Sequence, residues 1–240
     1  MTSAAVQSLA RDLALVFAPR RLPWHLLAVG LTVILVTSGF DGWIAAAAHG
    51  TQIRRLAFSA GRIGFWMPIA VPLAMLALGW LRRDRRLRTS AWRVAESEML
   101  ALGICAAYKA LTGRPSPTSV HDGAFDAASR VFRFGFMRGG VFWGWPSSHV
   151  MTAFAGAVAL ALLYRENRGL VWPTAAYAAF MAAGVSISFH WFSDVMAGAI
   201  IGTVIGVVVA AGVGANVSEP AGRTPKLAPD RYAPLPRGSG

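Results

Sequence analysis

Three short segments collect most of the reactive polar side chains of this otherwise apolar sequence. The first runs from Lys109 to Pro117, the second from Trp145 to His149, and the third from His190 to Asp194. Unpaired charge is costly in apolar surroundings. If the three segments meet at one depth, their histidines, carboxylate and cations therefore predict a functional site.

The second segment contains Pro146-Ser147-Ser148-His149 directly before an apolar helical run, which is typical of a helix start. Ser147 is expected to cap that helix, and free amides with a partial positive charge would favour an anion such as phosphate there. His149, in the first turn, could give a proton to a leaving oxygen. A capping serine beside an interfacial histidine is the plainer alternative.

His190 and Asp194 are four residues apart, which places both on one face if the segment is helical. The carboxylate could accept one imidazole N–H and leave the other nitrogen free as a nucleophile or base. A structural His–Asp pair is the alternative interpretation. No motif spacing supports a metal site over a phosphate pocket, so no metal is predicted.

Lys109 and Arg114 supply positive charge next to these groups. Phosphoryl transfer depends mainly on positioned positive charge around the phosphate oxygens, and arginine can hold two of them. The alternative is that both side chains extend towards the interface from a helix end.

The composition of the chain indicates a membrane protein. Of its 240 residues 55% are hydrophobic and 14% are charged, and the mean hydropathy is +0.49. The net charge of +12 comes from clusters between apolar runs rather than from one polar face, which argues against nucleic-acid binding. Cys105 is the single cysteine, so one chain can build neither a disulfide framework nor a thiolate metal site.

A helix needs about 20 apolar residues to cross a hydrocarbon layer about 30 Å thick. Six segments meet this requirement to different degrees, and we expect an all-α polytopic membrane protein built as a six-transmembrane-helix bundle. The helical domain would cover residues 24–214, between a cytoplasmic arm at 1–23 and a disordered cytoplasmic tail at 215–240 whose last residues resemble a tag remnant. The segments are Trp24 to Phe40, Ile63 to Leu81, Ala95 to Thr112, Ser148 to Tyr164, Leu170 to Phe189 and Asp194 to Gly214.

Basic residues are divided unequally between the two sides of this bundle. Fifteen of the 23 lie on the side of the termini, which the positive-inside rule assigns to the cytoplasm. The three polar segments then all face outward. The first apolar segment, between Arg20-Arg21 and Ala45–Ala48, could alternatively be a cleaved secretory signal.

Taken together, the three segments resemble the signature of the type 2 phosphatidic acid phosphatase (PAP2) family, over roughly Lys109 to Gly198. That signature is K-x6-R-P, then P-S-G-H, then S-R-x5-H-x3-D. The chain departs from it at Ser116, where an arginine is expected, at Ser148 in place of glycine, and at Ala183-Gly184 in place of Ser-Arg. The matching residues are Lys109, Pro117, Pro146, Ser147, His149, His190 and Asp194.

The resemblance implies a role for each matching residue. His190 would take the phosphoryl group as a phosphohistidine, and Asp194 would orient it. His149 would protonate the leaving oxygen and then activate water. Phosphate oxygens would be held by Lys109, Arg114, Ser147 and Ser148, and neither a metal nor another cofactor would be needed.

Two further arginines could replace the missing positive charge. Arg133 and Arg138 lie in an outward segment, Ser129 to Gly140, that mixes cations with aromatic residues. We hypothesise that both fold over the site and bind phosphate. The alternative is a belt of aromatic and basic residues at the membrane interface.

The expected function is therefore removal of phosphate from a lipid phosphate or pyrophosphate at the periplasmic face of a bacterial inner membrane. Phosphatidate, phosphatidylglycerol phosphate, undecaprenyl pyrophosphate and lipid A phosphates are the candidate substrates. The bilayer is the other partner expected, and the sequence leaves the oligomeric state open. A lipid-to-lipid phosphotransferase, or a lipid-phosphate binding or transport protein, is the alternative.

Four glycines are expected at close helix contacts: Gly156, Gly198, Gly202 and Gly206.

Overall fold

The computed structural model describes residues 3–217, and these residues form helices joined by irregular segments, the longest of them at 130–147, with no strand among them. The all-α expectation is confirmed. A 3₁₀ turn, Pro117–Ser119, lies between the fifth and sixth helices. The helices are α1 (Ser3–Val16), α2 (Leu22–Thr37), α3 (Phe40–Ala48), α4 (Gln52–Leu81), α5 (Arg85–Thr112), α6 (Phe125–Ser129), α7 (Ser148–Leu163), α8 (Arg168–Ser188) and α9 (Phe192–Val217).

Six of these helices, α2, α4, α5, α7, α8 and α9, correspond in order to the six predicted apolar segments. The largest differences are at two starts: α4 begins at Gln52 rather than Ile63, and α5 begins at Arg85 rather than Ala95. Asp84 caps α5 by accepting the Leu87 N–H at 3.0 Å. Hydropathy marks the stretch that suits lipid, whereas the backbone continues as helix through the polar residues before it.

The count of six membrane spans is not confirmed. Within the described residues three helices are long and apolar enough to cross a membrane: α4, α8 and the Phe192–Gly212 part of α9. A fourth is obtained if α2 and α3, bent by 67° at their junction, count as one span. The α7 helix is apolar but short, and α5 carries charged residues that are buried against protein, among them Arg93, Glu96 and Glu98.

The contact between α7 and α9 forms the centre of the bundle. A Cβ atom at Gly198 would lie 2.8 Å from the Ser147 carbonyl oxygen, and one at Gly206 would lie 2.7 Å from the Ala155 carbonyl oxygen. Gly202 stands equally close to the backbone of α7, and Gly156 leaves room for the side chain of Glu98. The expected close packing at these glycines is confirmed, because only residues without a side chain let the helices approach so closely.

The N-terminal arm predicted for residues 1–23 contains α1, which is docked on the bundle. Asp12 of α1 is fully buried and forms an ion pair with Arg93 of α5 at 2.7 Å. At the other end, the predicted tail lies outside the described residues from position 218 onward, and its first three residues still belong to α9.

Short elements cover the end of the bundle where α5 stops and α7 and α9 start. Gly39 takes a left-handed conformation (φ 78°) that turns the chain from α2 into α3, and α3 packs against α6. This turn carries Asp41, in the first turn of α3, to the start of α9. The layer therefore adds a buried carboxylate to the three polar segments.

Candidate active site

His190 lies in the turn between α8 and α9 and pairs with Asp194 in the first turn of α9. The Nδ1 atom of His190 is 3.1 Å from Oδ2 of Asp194. Because a carboxylate only accepts, Nδ1 carries the proton and Nε2 keeps its lone pair. Burial lowers the pKa of His190 below its ordinary value, while the hydrogen bond to Asp194 acts in the opposite direction.

The start of α7 is fixed against the start of α9. The Ser147 side chain caps α7 by accepting the Val150 N–H at 3.5 Å, as predicted, and the Ser147 N–H donates to the Asp194 carbonyl oxygen at 3.0 Å. The preceding Trp145 is held by Thr112 of α5 and Thr32 of α2. The helix start with its free amides is therefore held beside His190 by three other helices.

The imidazole rings of His149 and His190 are neighbours. The ring centroids of His149 and His190 are 6.3 Å apart, with the rings inclined at 63°. Phe189 stacks on His149 at 5.8 Å and meets Phe58 of α4 edge to face at 4.7 Å. These contacts fix the orientation of the His149 ring beside His190.

Lys109 brings positive charge to the same place from the last turn of α5. Its side chain is buried, and Nζ donates to the Phe142 carbonyl oxygen at 2.9 Å and lies 3.4 Å from Oγ of Ser148. An ammonium group has three donors, so one remains after these two contacts. Lys109 thus lies beside the first turn of α7.

Arg114 is completely engaged with the protein. Five hydrogen bonds run from its guanidinium group to oxygen atoms of Asp41, Ser129, Ser193 and Asp194. The group also lies 4.7 Å from the centre of the Phe132 ring and 5.4 Å from that of Trp191. A guanidinium has five N–H donors, so this arrangement leaves none for the phosphate oxygen that the sequence analysis assigned to Arg114.

Asp41 is the residue that the sequence analysis did not find. It is fully buried; Oδ2 accepts from Arg114 at 2.7 Å, and Oδ1 accepts the Ser193 N–H at 2.8 Å. Its signal in the sequence is weak: a single carboxylate after an apolar run, an uncommon position next to a membrane span. Only the bend between α2 and α3 brings it to the site.

The structure gives a physical reason for two departures from the PAP2 signature. Ser116, where the signature has arginine, donates to the Phe189 carbonyl oxygen at 2.6 Å and so fastens the first segment to the turn before His190. Gly184, where the signature has its second arginine, packs against Ala60 of α4 so closely that a Cβ atom at 184 would overlap the Ala60 side chain. An arginine would not fit at position 184 in this helix contact.

Arg133 and Arg138 are exposed on a segment that crosses the end of α5. The N–H of Arg133 donates to the Thr112 carbonyl oxygen at 2.9 Å, and the next two contacts, from Gly135 and Met137, follow the last turn of α5. Gly113, with φ 49°, permits this crossing. The segment is adjacent to Lys109 through Phe142, but the two guanidinium groups make no described contact with His149 or His190.

Among the side chains that the structure describes, no three of His, Cys, Asp and Glu come together as a metal site would require. The groups that do come together are two imidazoles, a carboxylate and an ammonium beside a helix start. Such a set can bind a phosphoryl group, attack it and move a proton.

Comparison with known families agrees with this set of groups. A family model described as the PAP2 superfamily matches residues 90–218, more than half of the chain and all three polar segments. The chain belongs to the PAP2 superfamily. No curated protein and no solved structure matches it.

Membership of the PAP2 superfamily confirms the resemblance drawn from the sequence and makes this a membrane protein of a phosphatase-type family. The family match begins within α5 and ends with α9. It therefore leaves out α2 and α3, so Asp41 belongs to the part of this PAP2 protein that the family model does not cover.

Proposed function

We propose that this PAP2 protein is a metal-independent membrane phosphatase that removes phosphate from a lipid phosphate or pyrophosphate through a phosphohistidine intermediate. The observation that carries the proposal is the pairing of His190 with Asp194, which leaves Nε2 free, opposite His149 at a ring separation of 6.3 Å. A nucleophile and a proton donor on opposite sides of one phosphoryl group is the arrangement that in-line transfer requires.

In the first step the lone pair on Nε2 of His190 forms a bond to phosphorus, and the bond between phosphorus and the lipid oxygen breaks. His149, protonated, gives its proton to the departing oxygen, so the lipid leaves as an alcohol, or as a lipid monophosphate when the substrate is a pyrophosphate. Asp194 stabilises the positive imidazole ring that carries the phosphoryl group.

In the second step His149, now neutral, takes a proton from water while the water oxygen bonds to phosphorus. The nitrogen–phosphorus bond breaks, its electron pair returns to His190, and inorganic phosphate leaves. His149 is protonated again and ready for the next substrate. The balance is lipid phosphate plus water giving lipid alcohol plus phosphate, with no electron transfer and no metal.

Phosphate oxygens are held by Lys109 and by the start of α7, including Ser147 and Ser148. Lys109 has a free donor beside Ser148, and the amides of the first turn of α7 have no partner within the helix. Arg114 acts behind the site by holding Asp194. Arg133 and Arg138, exposed at its edge, remain candidates to close over the phosphate.

With six spans, the site would open on the side of the membrane opposite the termini, and the excess of basic residues on the side of the termini favours the periplasmic face of a bacterial inner membrane for it. Phosphatidate, phosphatidylglycerol phosphate, undecaprenyl pyrophosphate and the phosphates of lipid A all present a phosphate at that depth. Choosing among them requires a direct comparison of turnover.

The test is release of inorganic phosphate from each of these lipids in detergent micelles with EDTA present. Wild type is compared with His190→Ala and with His121→Ala, which removes an exposed histidine outside the site. We expect turnover that is insensitive to EDTA, lost in His190→Ala and retained in His121→Ala. Loss of turnover on adding EDTA, or full turnover by His190→Ala, would contradict the proposal.

Two alternatives share the same site. A phosphotransferase would pass the phosphoryl group to a lipid alcohol, and a labelled acceptor lipid would then become phosphorylated without release of inorganic phosphate. A binding or transport protein would bind the lipid phosphates but form no phosphohistidine. Acid-labile ³²P bound to wild type but not to His190→Ala would indicate a phosphatase or a phosphotransferase. It would exclude the binding or transport protein.

A further inference from the structure

Asp41, Arg114 and Asp194 form a continuous chain of charges behind His190. Arg114 donates to Oδ2 of Asp41 at 2.7 Å and to Oδ1 of Asp194 at 2.5 Å, and Oδ2 of Asp194 contacts Nδ1 of His190 at 3.1 Å. The side chains of Asp41 and Arg114 are fully buried, and that of Asp194 is 3% exposed. Solvent and salt therefore screen these interactions very little.

We infer that Asp41 is a positioning residue that controls the reactivity of His190 by neutralising Arg114. The inference rests on the proposed function, in which His190 is the nucleophile. An arginine paired with Asp194 alone would offset the negative charge by which this carboxylate stabilises the protonated or phosphorylated imidazole. With Asp41 on its other side, Arg114 fixes the position of Asp194, and the three side chains of Asp41, Arg114 and Asp194 together still carry one net negative charge.

A second contact ties Asp41 to the backbone that carries the nucleophile. Oδ1 of Asp41 accepts the Ser193 N–H at 2.8 Å, and Oδ2 accepts from the Ser193 hydroxyl at 2.5 Å. Ser193 precedes Asp194 in the first turn of α9, so Asp41 caps this helix from a distant part of the chain. Asp41 therefore determines both the charge behind His190 and the place of the turn.

Other charged and titratable groups reach His190 from the helices packed around it. Lys109 comes from α5, His149 from α7 and Asp194 from α9. The α4 helix meets this turn through Gly61, against the Phe189 ring. Lys109 and His149 are the same in every variant considered below, so they do not alter the comparison.

The test is a pH titration of His190 by NMR on the full-length protein in micelles, with labelled histidine and with assignment by His190→Ala. Removing the carboxylate in Asp41→Asn leaves Arg114 less neutralised, and we expect the titration midpoint to fall by about one pH unit. Arg114→Gln leaves both carboxylates without their cation, and we expect a rise of similar size. The acid limb of kcat/KM should move in the same two directions.

The double variant Asp41→Asn/Arg114→Gln restores the original net charge, and we expect its midpoint to return close to that of wild type. The double variant also tests the inference if Asp41→Asn alone does not fold. In that case the titration midpoint of the double variant must lie below that of Arg114→Gln, because the two differ only in the charge at position 41. Ser193→Ala removes a hydroxyl but no charge, and its midpoint should stay in place. A shift in Ser193→Ala as large as that in Asp41→Asn would overturn the inference in favour of a purely structural role.

The chain offers a matched control pair nearby. Asp126 and Arg130 form an ion pair at 3.1 Å in the same outer layer, but their side chains are 60% and 44% exposed. Asp126→Asn and Arg130→Gln should leave the midpoint unchanged. The inference is wrong if the midpoint does not move in Asp41→Asn or Arg114→Gln, or if it moves in the same direction in both. The titration needs no substrate. A lack of phosphate release would therefore count against the proposed function alone.

Discussion

Gly184 of α8 and Ala60 of α4 are in direct contact at the position where the PAP2 signature carries its second arginine. A Cβ atom added at Gly184 would overlap the Cβ atom of Ala60, and the backbone of α4 lies just behind it. The sequence departure and the helix contact are therefore one feature, because the absence of a side chain at 184 is what lets α4 approach the site.

A glycine to alanine change within a helix ordinarily raises stability. Because of this contact, we expect Gly184→Ala to lower it. Overpacking of a tight contact costs about 1–3 kcal/mol, which should lower the thermal midpoint in micelles. Gly30→Ala, also within a helix but with nothing within 4 Å of the added Cβ, is the matched control and should be neutral or stabilising. Equal midpoints for both variants would show that α4 and α8 do not meet as described.

Lys109 and the two exposed arginines allow a direct test of which cations bind phosphate. We expect Lys109→Ala to lower kcat/KM by at least about a hundredfold, because the lysine lies next to the helix start that we propose to bind the phosphate. If Arg133 or Arg138 closes over the site, its alanine variant should lose activity to a similar extent. Wild-type kcat/KM in both arginine variants would show that their segment only contacts the interface, with Arg130→Ala as the surface control.

His149 has two tasks in the proposed reaction, and an activated substrate separates them. An aryl phosphate needs no proton donor for its leaving group, so His149→Ala should still form phosphohistidine from it. Removal of the phosphoryl group by water should then be slow, since the base is missing. We expect a burst of released phenol of about one equivalent followed by slow turnover, measured by stopped-flow absorbance, whereas steady turnover without a burst would contradict the assignment.

The burial of His190 predicts the direction of the acid limb. Its pKa is lowered from the ordinary value of 6.5, so the neutral imidazole persists below pH 6.5. If His190 is the nucleophile, kcat/KM should fall only as the pH drops through the lowered pKa. Measurement of kcat/KM for the aryl phosphate in His149→Ala isolates this limb from the titration of His149. An acid limb centred above pH 6.5 would be inconsistent with a buried, neutral His190.

Several features followed from the sequence because they depend on local patterns. The apolar runs predicted the order of the six long helices, although hydropathy placed the starts of α4 and α5 too late because it does not register helix that continues into polar residues. The spacing of His190 and Asp194 predicted their pairing, and Ser147 was predicted as the cap of α7. Each of these involves residues within a few positions of one another.

The sequence by itself thus determined the membrane class and the family, since composition and short-range spacing encode them, and it supplied the groups that we propose to react. Only the tertiary structure decided what surrounds those groups. Asp41 reaches Arg114 across 73 positions of the chain, and Gly184 meets Ala60 between two helices that are distant in sequence. Such contacts depend on how the helices bend and pack, and that free energy is set jointly by many side chains rather than by any one motif.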